Sequence, residues 1–153
     1  MSEDRSKGTI SLEEIAARIN ELREYANMLA STINTYVSQQ RELQLALETL
    51  KNMPDEGGSG YVVIDRLSTA MIPATISEGW SKSILVHLGL GYYLKTDKTS
   101  ASEIISKKSS SLEKLIAELQ RRYRVVVEEL EKLQSILTQL TAGGSRLEET
   151  SGG

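Results

Sequence analysis

Residues 12–50 read LEEIAARINELREYANMLASTINTYVSQQRELQLALETL, and the spacing of their apolar side chains decides the fold. These side chains recur at gaps that alternate between three and four residues, with Gln40 as the polar exception. A seam kept over the whole stretch is typical of a coiled-coil helix, and a polar residue at an a position helps to fix its register. The series is Leu12, Ile15, Ile19, Leu22, Ala26, Leu29, Ile33, Tyr36, Gln40, Leu43, Leu47 and Leu50.

A second apolar series in the C-terminal part predicts a second coiled-coil helix. Two successive gaps of four around Leu119 predict a stutter, which locally unwinds the supercoil. Residues 106–111 read SKKSSS and add nothing to the seam, so we expect loose helix packing there. The series is Leu112, Leu115, Leu119, Tyr123, Val126, Leu130, Leu133, Leu137 and Leu140.

The first helix has clear start and stop signals. Ser11 and Glu14 form a capping box, in which each side chain satisfies a backbone N–H of the other residue. Pro54 cannot continue a helix, so the N-terminal coiled-coil helix is predicted over residues 11–53. Residues 1–10 are predicted to be a flexible tail.

The second helix repeats the capping box with Ser100 and Glu103. The glycine pair that begins at Gly143 favours a left-handed helix end. We therefore expect a C-terminal coiled-coil helix over residues 100–142 and a flexible tail over residues 143–153. The helices have matched predicted lengths, so antiparallel pairing would bring both free ends to one tip.

The segment between the helices, residues 61–97, is rich in Val, Ile and Tyr and predicts two β-hairpins. Isolated hairpins are marginally stable in water, and the chain has no further helix to cover them, so other subunits are expected to complete the sheet. Strands are expected at residues 61–67, 71–76, 83–88 and 92–95, with Pro73 at an edge or a bulge. The expected oligomerisation residues are Val62, Ile64, Leu67, Ile72, Ile84, Val86, Leu88, Tyr92 and Tyr93.

Composition narrows the class of protein. The 153 residues suggest one domain, and a net charge of −3 argues against nucleic-acid binding. No cysteine is available for disulfides or thiolate zinc sites. The N-terminal residues are polar and the apolar runs are short, which predicts a soluble cytoplasmic protein without a membrane partner.

Few residues suggest catalytic or ligand chemistry. His87 is the one histidine, and a lone strand histidine is more often structural than a metal ligand. The glycines at 57–60 and 89–91 lack the lysine and following helix of a phosphate-binding loop. We therefore expect no enzyme activity, no cofactor and no metal. Trp80 either plugs one end of the β structure or contacts a neighbouring subunit, or it is an ordinary aromatic residue of a loop.

The hairpin segment resembles a known family. Residues 83–97, SILVHLGLGYYLKTD, are similar to the second hairpin of α-class prefoldin subunits, with an apolar strand, a Gly-x-Gly turn and a Tyr-Tyr pair. Residues 64–76, IDRLSTAMIPATI, resemble the first hairpin, with Pro73 matching the strand proline and Ala74 standing where a glycine is usual. The order helix, hairpin, hairpin, helix extends the resemblance over about residues 10–142.

The resemblance implies an α+β fold, in which a long antiparallel two-helix coiled coil carries two central hairpins that join an intersubunit double β-barrel. It implies a hetero-hexamer of two α and four prefoldin β subunits. Such an assembly captures unfolded proteins at the coiled-coil tips and passes them to a group II chaperonin without ATP.

The tip is the expected client-binding region. Frayed helix ends would expose seam residues, and Ile136 lies outside the seam at a g-like position. Ile10 also lies outside the seam, and a hydrophobic staple with Ile15 is the competing explanation for it. The expected client-binding residues are Ile10, Leu12, Ile15, Ile19, Leu133, Ile136, Leu137 and Leu140.

Two other function classes remain open from the residues alone. A structural coiled-coil adaptor or tether would hold no client, would tolerate polar tips and would need no β platform. An RNA-binding arm could use the basic cluster at residues 121–124, but such an arm should be basic overall and this chain is not.

Overall fold

The structure is a computed structural model that describes residues 10–149, with side chains described through residue 143. It contains two long helices and two antiparallel hairpins, which confirms the predicted α+β class. No helix within this described range is long and apolar enough to cross a membrane. The elements are α1 (Leu12–Asn52), β1 (Gly58–Val63), β2 (Met71–Ile76), a 3₁₀ turn (Trp80–Lys82), β3 (Ile84–Gly89), β4 (Tyr92–Thr96) and α2 (Lys98–Glu149).

The chain divides into two compact units. We call the first the helical unit, which comprises Met1–Val37 and Leu115–Gly153. The second is the hairpin unit, Ser38–Lys114, which contains both hairpins and the adjoining parts of the helices.

Helix α1 starts and ends where its sequence signals predict. The Glu14 backbone N–H donates to Ser11 Oγ at 3.1 Å, and the Ser11 N–H donates to Glu14 Oε2 at 2.9 Å. These bonds satisfy donors that the first turn of a helix otherwise leaves unpaired. The helix runs for 41 residues and ends just before Pro54.

The core of the helical unit is the predicted seam. Ala16, Ile19 and Arg23 of α1 line one groove together with Leu137 and Thr138 of α2, as antiparallel pairing requires. The buried residues are Ile15, Ile19, Leu22, Ala26 and Leu29 from α1 and Val126 and Leu130 from α2. Leu119, Tyr123, Leu133 and Leu137 are partly buried against them.

An ion pair joins the two helices beside this core. Arg18 Nη2 lies 3.2 Å from Glu129 Oε1, and Arg18 also pairs with Glu21 on its own helix. The hydrogen bond to Glu129 is the main reason that the pKa of Arg18 lies above its usual value. The pair is exposed, so it contributes little to the stability of the helix pair.

The predicted stutter in α2 is wrong. Leu115 is 41% exposed, whereas the neighbouring Ile116 is partly buried. With Ile116 in the seam, the gaps alternate between three and four from Ile116 to Leu140 without interruption. Two adjacent apolar residues competed for one seam position, and continuity of the heptad selected the second.

Helix α2 also differs from its predicted bounds. It starts at Lys98 because Asp97 is its cap: the Ser100 N–H donates to Asp97 Oδ1 at 2.7 Å. It continues through Gly143 to Glu149, since a glycine weakens a helix interior by about 1 kcal/mol without ending it. The helices are therefore unequal, at 41 and 52 residues.

These bounds also change the predicted tails. Residues 143–149, expected in the C-terminal tail, belong to α2. The tail predicted over residues 1–10 and the remainder of the C-terminal tail lie outside the described residues, apart from Ile10.

The first strand lies earlier than predicted. Strand β1 pairs with β2 from Gly58 opposite Ile76 to Val63 opposite Met71. The chain then leaves the strand because the Asp65 carboxylate accepts N–H bonds from Leu67, Thr69 and Ala70 at 2.8, 3.1 and 2.8 Å. These bonds, chiefly that from Ala70, lower the pKa of Asp65. Ile64 and Leu67 thus lie outside β1.

The second hairpin pairs Ile84 with Thr96 at its open end and carries an irregularity between His87 and Gly89. It forms a separate two-stranded sheet from β1 and β2. The Val86 side chain is buried in a groove that Leu43, Ala46 and Ile105 of the helices also line. Strand β3 is therefore attached to the helical part of the hairpin unit.

A cluster around Trp80 joins the end of α1 to the start of α2. The Trp80 indole N–H donates to the Pro54 carbonyl at 2.7 Å. Lys98 Nζ pairs with Asp55 at 3.0 Å and lies 5.4 Å from the centroid of the Trp80 ring. Within this chain Trp80 therefore ties loop and helix ends together.

One polar pair interrupts the seam of the hairpin unit. Gln40 Nε2 donates to Ser109 Oγ at 2.9 Å, within the segment 106–111 for which loose packing was expected. Gln40 Oε1 is buried and has no hydrogen-bond partner among the described residues. A polar layer of this kind costs stability and favours one helix alignment.

Candidate interaction surfaces

Both hairpins expose apolar side chains. Each sheet has two strands, so each hairpin offers free edges as well as apolar faces. Contiguous exposed apolar surface of this kind marks an interaction site in a soluble protein. The exposed apolar residues from β1 to β4 are Tyr61, Val62, Val63, Ile64, Leu67, Met71, Ile72, Ile76, Leu85, Leu88, Leu90, Tyr92, Tyr93 and Leu94.

Most of the residues predicted for oligomerisation belong to this surface. Val62 and Ile72 are exposed and lie opposite each other in the β1–β2 ladder. Leu88, Tyr92 and Tyr93 are exposed on the second hairpin, and Ile64 and Leu67 are exposed beyond the end of β1.

Two residues of the predicted set are placed differently. Val86 is buried within its own chain and Ile84 is half-buried, because both line the groove between β3 and the helices. Val86 is therefore a packing residue of the hairpin unit within this chain, and its role in oligomerisation stays a prediction. Strand periodicity alone did not show which face of β3 the helices cover.

The tip of the second hairpin carries a leucine that the sequence did not single out. Leu90 has a φ of 51° between Gly89 and Gly91, and its side chain is almost fully exposed. A left-handed conformation costs a non-glycine residue about 1–2 kcal/mol. An exposed leucine in this conformation adds to the apolar surface of the hairpins.

His87 is an exposed sheet residue. Its ring lies 5.0 Å from the ring of Tyr93, its cross-strand partner. Among the described residues, no group of three or more His, Asp or Glu side chains is arranged to hold a metal ion.

The predicted client-binding residues divide into two groups. Ile15 and Ile19 are only 5% and 4% exposed, and Leu133 and Leu137 pack against the same core. In contrast, Ile10, Leu12, Ile136 and Leu140 are exposed, all within the helical unit. We call these four residues the tip set.

The structure also shows exposed apolar residues on the helices that lie outside both seams. Tyr25 and Met28 on α1 and Val125 on α2 are exposed in the helical unit, and Leu45 on α1 is exposed in the hairpin unit. Their heptad positions could have identified them, because positions away from a and d face solvent.

The basic cluster at residues 121–124 is paired within its own helix. Arg121 and Arg122 lie 3.6 and 3.2 Å from the two carboxylate oxygens of Glu118, and Arg124 donates to the Gln120 carbonyl. Tyr123 packs against the core. The cluster is thus a charged helix face with local ion pairs.

Comparison with known proteins identifies the family. The sequence model of the Prefoldin family, described as prefoldin subunit, matches residues 22–147. Prefoldin subunit alpha of Aeropyrum pernix is 28% identical over 133 residues, which cover 87% of each chain. Prefoldin subunit alpha of Hyperthermus butylicus is 26% identical over 133 residues, 87% of this chain and 85% of the relative.

A solved structure is also similar. A chain of filamentous PFD from Methanocaldococcus jannaschii, solved by cryo-EM, aligns with a TM-score of 0.46 and 18% identity, over 81% of this chain and 95% of that one. The match to the family model covers most of the sequence. The chain therefore belongs to the prefoldin family, and its relatives named above are subunits of the α class.

Proposed function

We propose that this chain is the α subunit of an ATP-independent chaperone that holds unfolded proteins. Family membership supports a chaperone-type subunit that assembles with other prefoldin subunits. The observation that carries the proposal is the exposed apolar surface of the two hairpins, which one chain alone leaves uncovered.

The proposed assembly is a hetero-hexamer of two α and four prefoldin β subunits. Its hairpins would join into a double β-barrel, in which neighbouring strands satisfy the free edges of β1 to β4. Burial of Tyr61, Ile72, Tyr92 and other exposed residues at such an interface would supply the association energy. Each large apolar side chain contributes about 1.5–3 kcal/mol when it becomes fully buried.

The proposed client site is the tip set. Ile136, Leu12 and Leu140 are each about half exposed, so a client can cover apolar surface without unpacking Ile15 or Ile19. Each contact is weak, but several arms that hold one extended client raise its affinity through effective concentration. Transfer to a group II chaperonin in the cytoplasm completes the proposed function.

Assembly is tested by measuring the mass of the chain with and without a β-class partner from the same cell. We expect a defined hetero-oligomer of six subunits, measured by light scattering on a sizing column. A well-folded chain that stays monomeric at all concentrations and ignores the partner would refute the proposal.

Client holding is tested with the variant Leu12→Ser/Ile136→Ser/Leu140→Ser. These residues are about half exposed, so assembly should persist and the melting temperature should fall by only a few degrees, whereas suppression of aggregation of a denatured model protein should fall several-fold. Val125→Ser, which removes exposed apolar surface from α2 outside the tip set, is the control.

The outcome also decides between holding and tethering. If the triple variant suppresses aggregation as well as the unaltered assembly does, the tip is not the client site of this subunit. If the unaltered assembly itself holds no denatured protein, a structural adaptor or tether is the better description. Added ATP should change none of these results.

A further inference from the structure

The exposed apolar residues of the helical unit that lie outside the seams share two heptad positions. Counting from the a and d residues of each seam, Tyr25, Leu115 and Ile136 fall at g. Met28 and Val125 fall at c. Among the side chains that the structure describes in the two helices of this unit, these five are the large apolar residues that are exposed outside the seams.

Positions c and g of both helices lie on the same side of the helix pair. Arg18 and Glu129 are both at g, and their ion pair of 3.2 Å shows that the g positions adjoin. The e positions adjoin on the opposite side, where Ala16, Arg23 and Gln134 line one groove. The five exposed apolar residues therefore form one surface, which we call the apolar face.

The charged residues within the apolar face are ion-paired. Arg122 and Glu129 separate Leu115 from Ile136 in the row of g positions on α2. Arg122 Nε lies 3.2 Å from Glu118 Oε1, and Glu129 is paired across the helices. Charges that neutralise each other attract a charged partner weakly, so the face favours an apolar occupant.

We infer that the apolar face binds an extended apolar segment of an unfolded client, which runs from the tip set along one side of the helical unit. The inference rests on the proposed function and adds the side and the length of the client site. Ile136 belongs to both the tip set and the apolar face, so one client segment can cover both surfaces.

The face sets the length of the segment that it can hold. Three heptads separate Leu115 from Ile136, which is about 30 Å along α2. An extended chain rises about 3.3 Å per residue, so about ten client residues would cover this length. Ile136 and Leu140 lie one helical turn apart, and a client held there alone needs only a few residues.

The side chains of the face suit clients of varied sequence. Met28 is 55% exposed, and methionine is flexible enough to pack against many different partners. Tyr25 offers an apolar ring with a polar end. Val125 supplies one contact among several, so replacing it alone should change holding little when several arms share a client.

The first test asks which side of the helical unit contacts the client. The sequence contains no cysteine, so Met28→Cys gives a single site for a benzophenone maleimide, attached before assembly with the β-class partner. Asn27→Cys is the matched control, because this exposed neighbour lies at b, on the opposite side. Irradiation with a denatured model protein should yield several-fold more cross-linked client from Met28→Cys than from the control.

The second test concerns segment length. Two peptides of equal length carry apolar segments of four or ten residues, and fluorescence anisotropy measures their binding to the assembly. The longer segment should bind at least about tenfold more tightly, as expected for one further apolar contact. Met28→Gln/Leu115→Gln should abolish this preference, whereas Asn27→Gln/Ala117→Gln, which alters exposed residues at b, should keep it.

The outcomes separate the apolar face from client holding itself. Equal cross-linking from both sides, or equal binding of the two peptides, overturns the inference and leaves clients held at the tip set alone. Protection of Met28→Cys from maleimide in the client-free assembly also overturns it, because another subunit or a second copy would then cover the face. Failure of the unaltered assembly to hold denatured protein overturns the proposed function and this inference together.

Discussion

Two leucines on α1 provide a direct test of how burial determines the effect of a substitution. Leu29 is 3% exposed in the core of the helical unit, whereas Leu45 is 58% exposed in the hairpin unit. The same change, Leu to Ala, should therefore have different effects at the two positions. Leu29→Ala should lower the free energy of unfolding, and Leu45→Ala should leave the free energy of unfolding of the free chain almost unchanged.

The magnitudes follow from the contacts that each change removes. A buried Leu→Ala change costs about 2–5 kcal/mol, and a narrow two-helix seam can partly collapse, so we expect about 2–3 kcal/mol for Leu29→Ala. Leu45→Ala removes a side chain that is already largely in water, and alanine favours helix slightly more than leucine does. We expect at most about 0.5 kcal/mol for the free chain.

Urea unfolding of the free chains at low concentration, followed by helical circular dichroism, measures both values. The melting temperature of Leu29→Ala should fall by about 5–10 °C for a chain of this size. The reasoning is refuted if Leu45→Ala destabilises the free chain as much as Leu29→Ala does. It is also refuted if Leu29→Ala costs less than about 0.5 kcal/mol.

Three further changes test local features. Ser11→Ala should lower the stability of α1 by about 0.5–2 kcal/mol and speed amide hydrogen exchange in its first turn, because it removes the hydrogen bond from the Glu14 N–H. Exchange as slow as before would show that the capping box contributes nothing to stability. Gly57→Ala should disrupt the first hairpin, because the added Cβ would lie 2.2 Å from the Ile76 carbonyl oxygen and Gly57 has a φ of +76°. At Gly60 an added Cβ meets nothing within 4 Å, so Gly60→Ala should leave the melting temperature unchanged. The Ala70 amide should exchange slowly with solvent above the unfolded-state pKa of Asp65, about 3.9, and should lose this protection as pH falls through the lower folded-state pKa of Asp65. Asp65→Ala should remove the protection at all pH values. Protection that changes neither with pH nor in the variant would contradict the assigned bonds.

Local signals predicted the fold where nothing competed with them. The capping box at Ser11 and the proline at 54 define the ends of α1, and the heptad spacing identifies its buried side. Where two signals competed, sequence reasoning selected the wrong one. Asp97 caps α2 ahead of the Ser100 box, and the Asp65 carboxylate ends a strand that the pattern of apolar residues extended to Leu67.

The candidate surfaces were predictable in part. The apolar hairpins and the exposure of Ile136 follow from periodicity. The burial of Val86 depends on which elements pack together, and spacing within one element carries no such information. Leu45 could have been identified in the sequence as an apolar residue at heptad position f, which faces away from the seam. The groove that Leu45 lines could not, because it forms only where β3 lies beside α1.

The free strand edges and apolar faces of the hairpins make subunit concentration a thermodynamic variable. Where a partner covers those surfaces, mass action stabilises the covered state in proportion to the logarithm of partner concentration. Simple dilution then acts on this part of the chain as a mild denaturant would. A cell that synthesises this subunit in excess of its partners would accumulate chains whose edges are open to pairing with each other. Balanced synthesis of the subunits is therefore as much a condition for the stability of the hairpins as any residue within them.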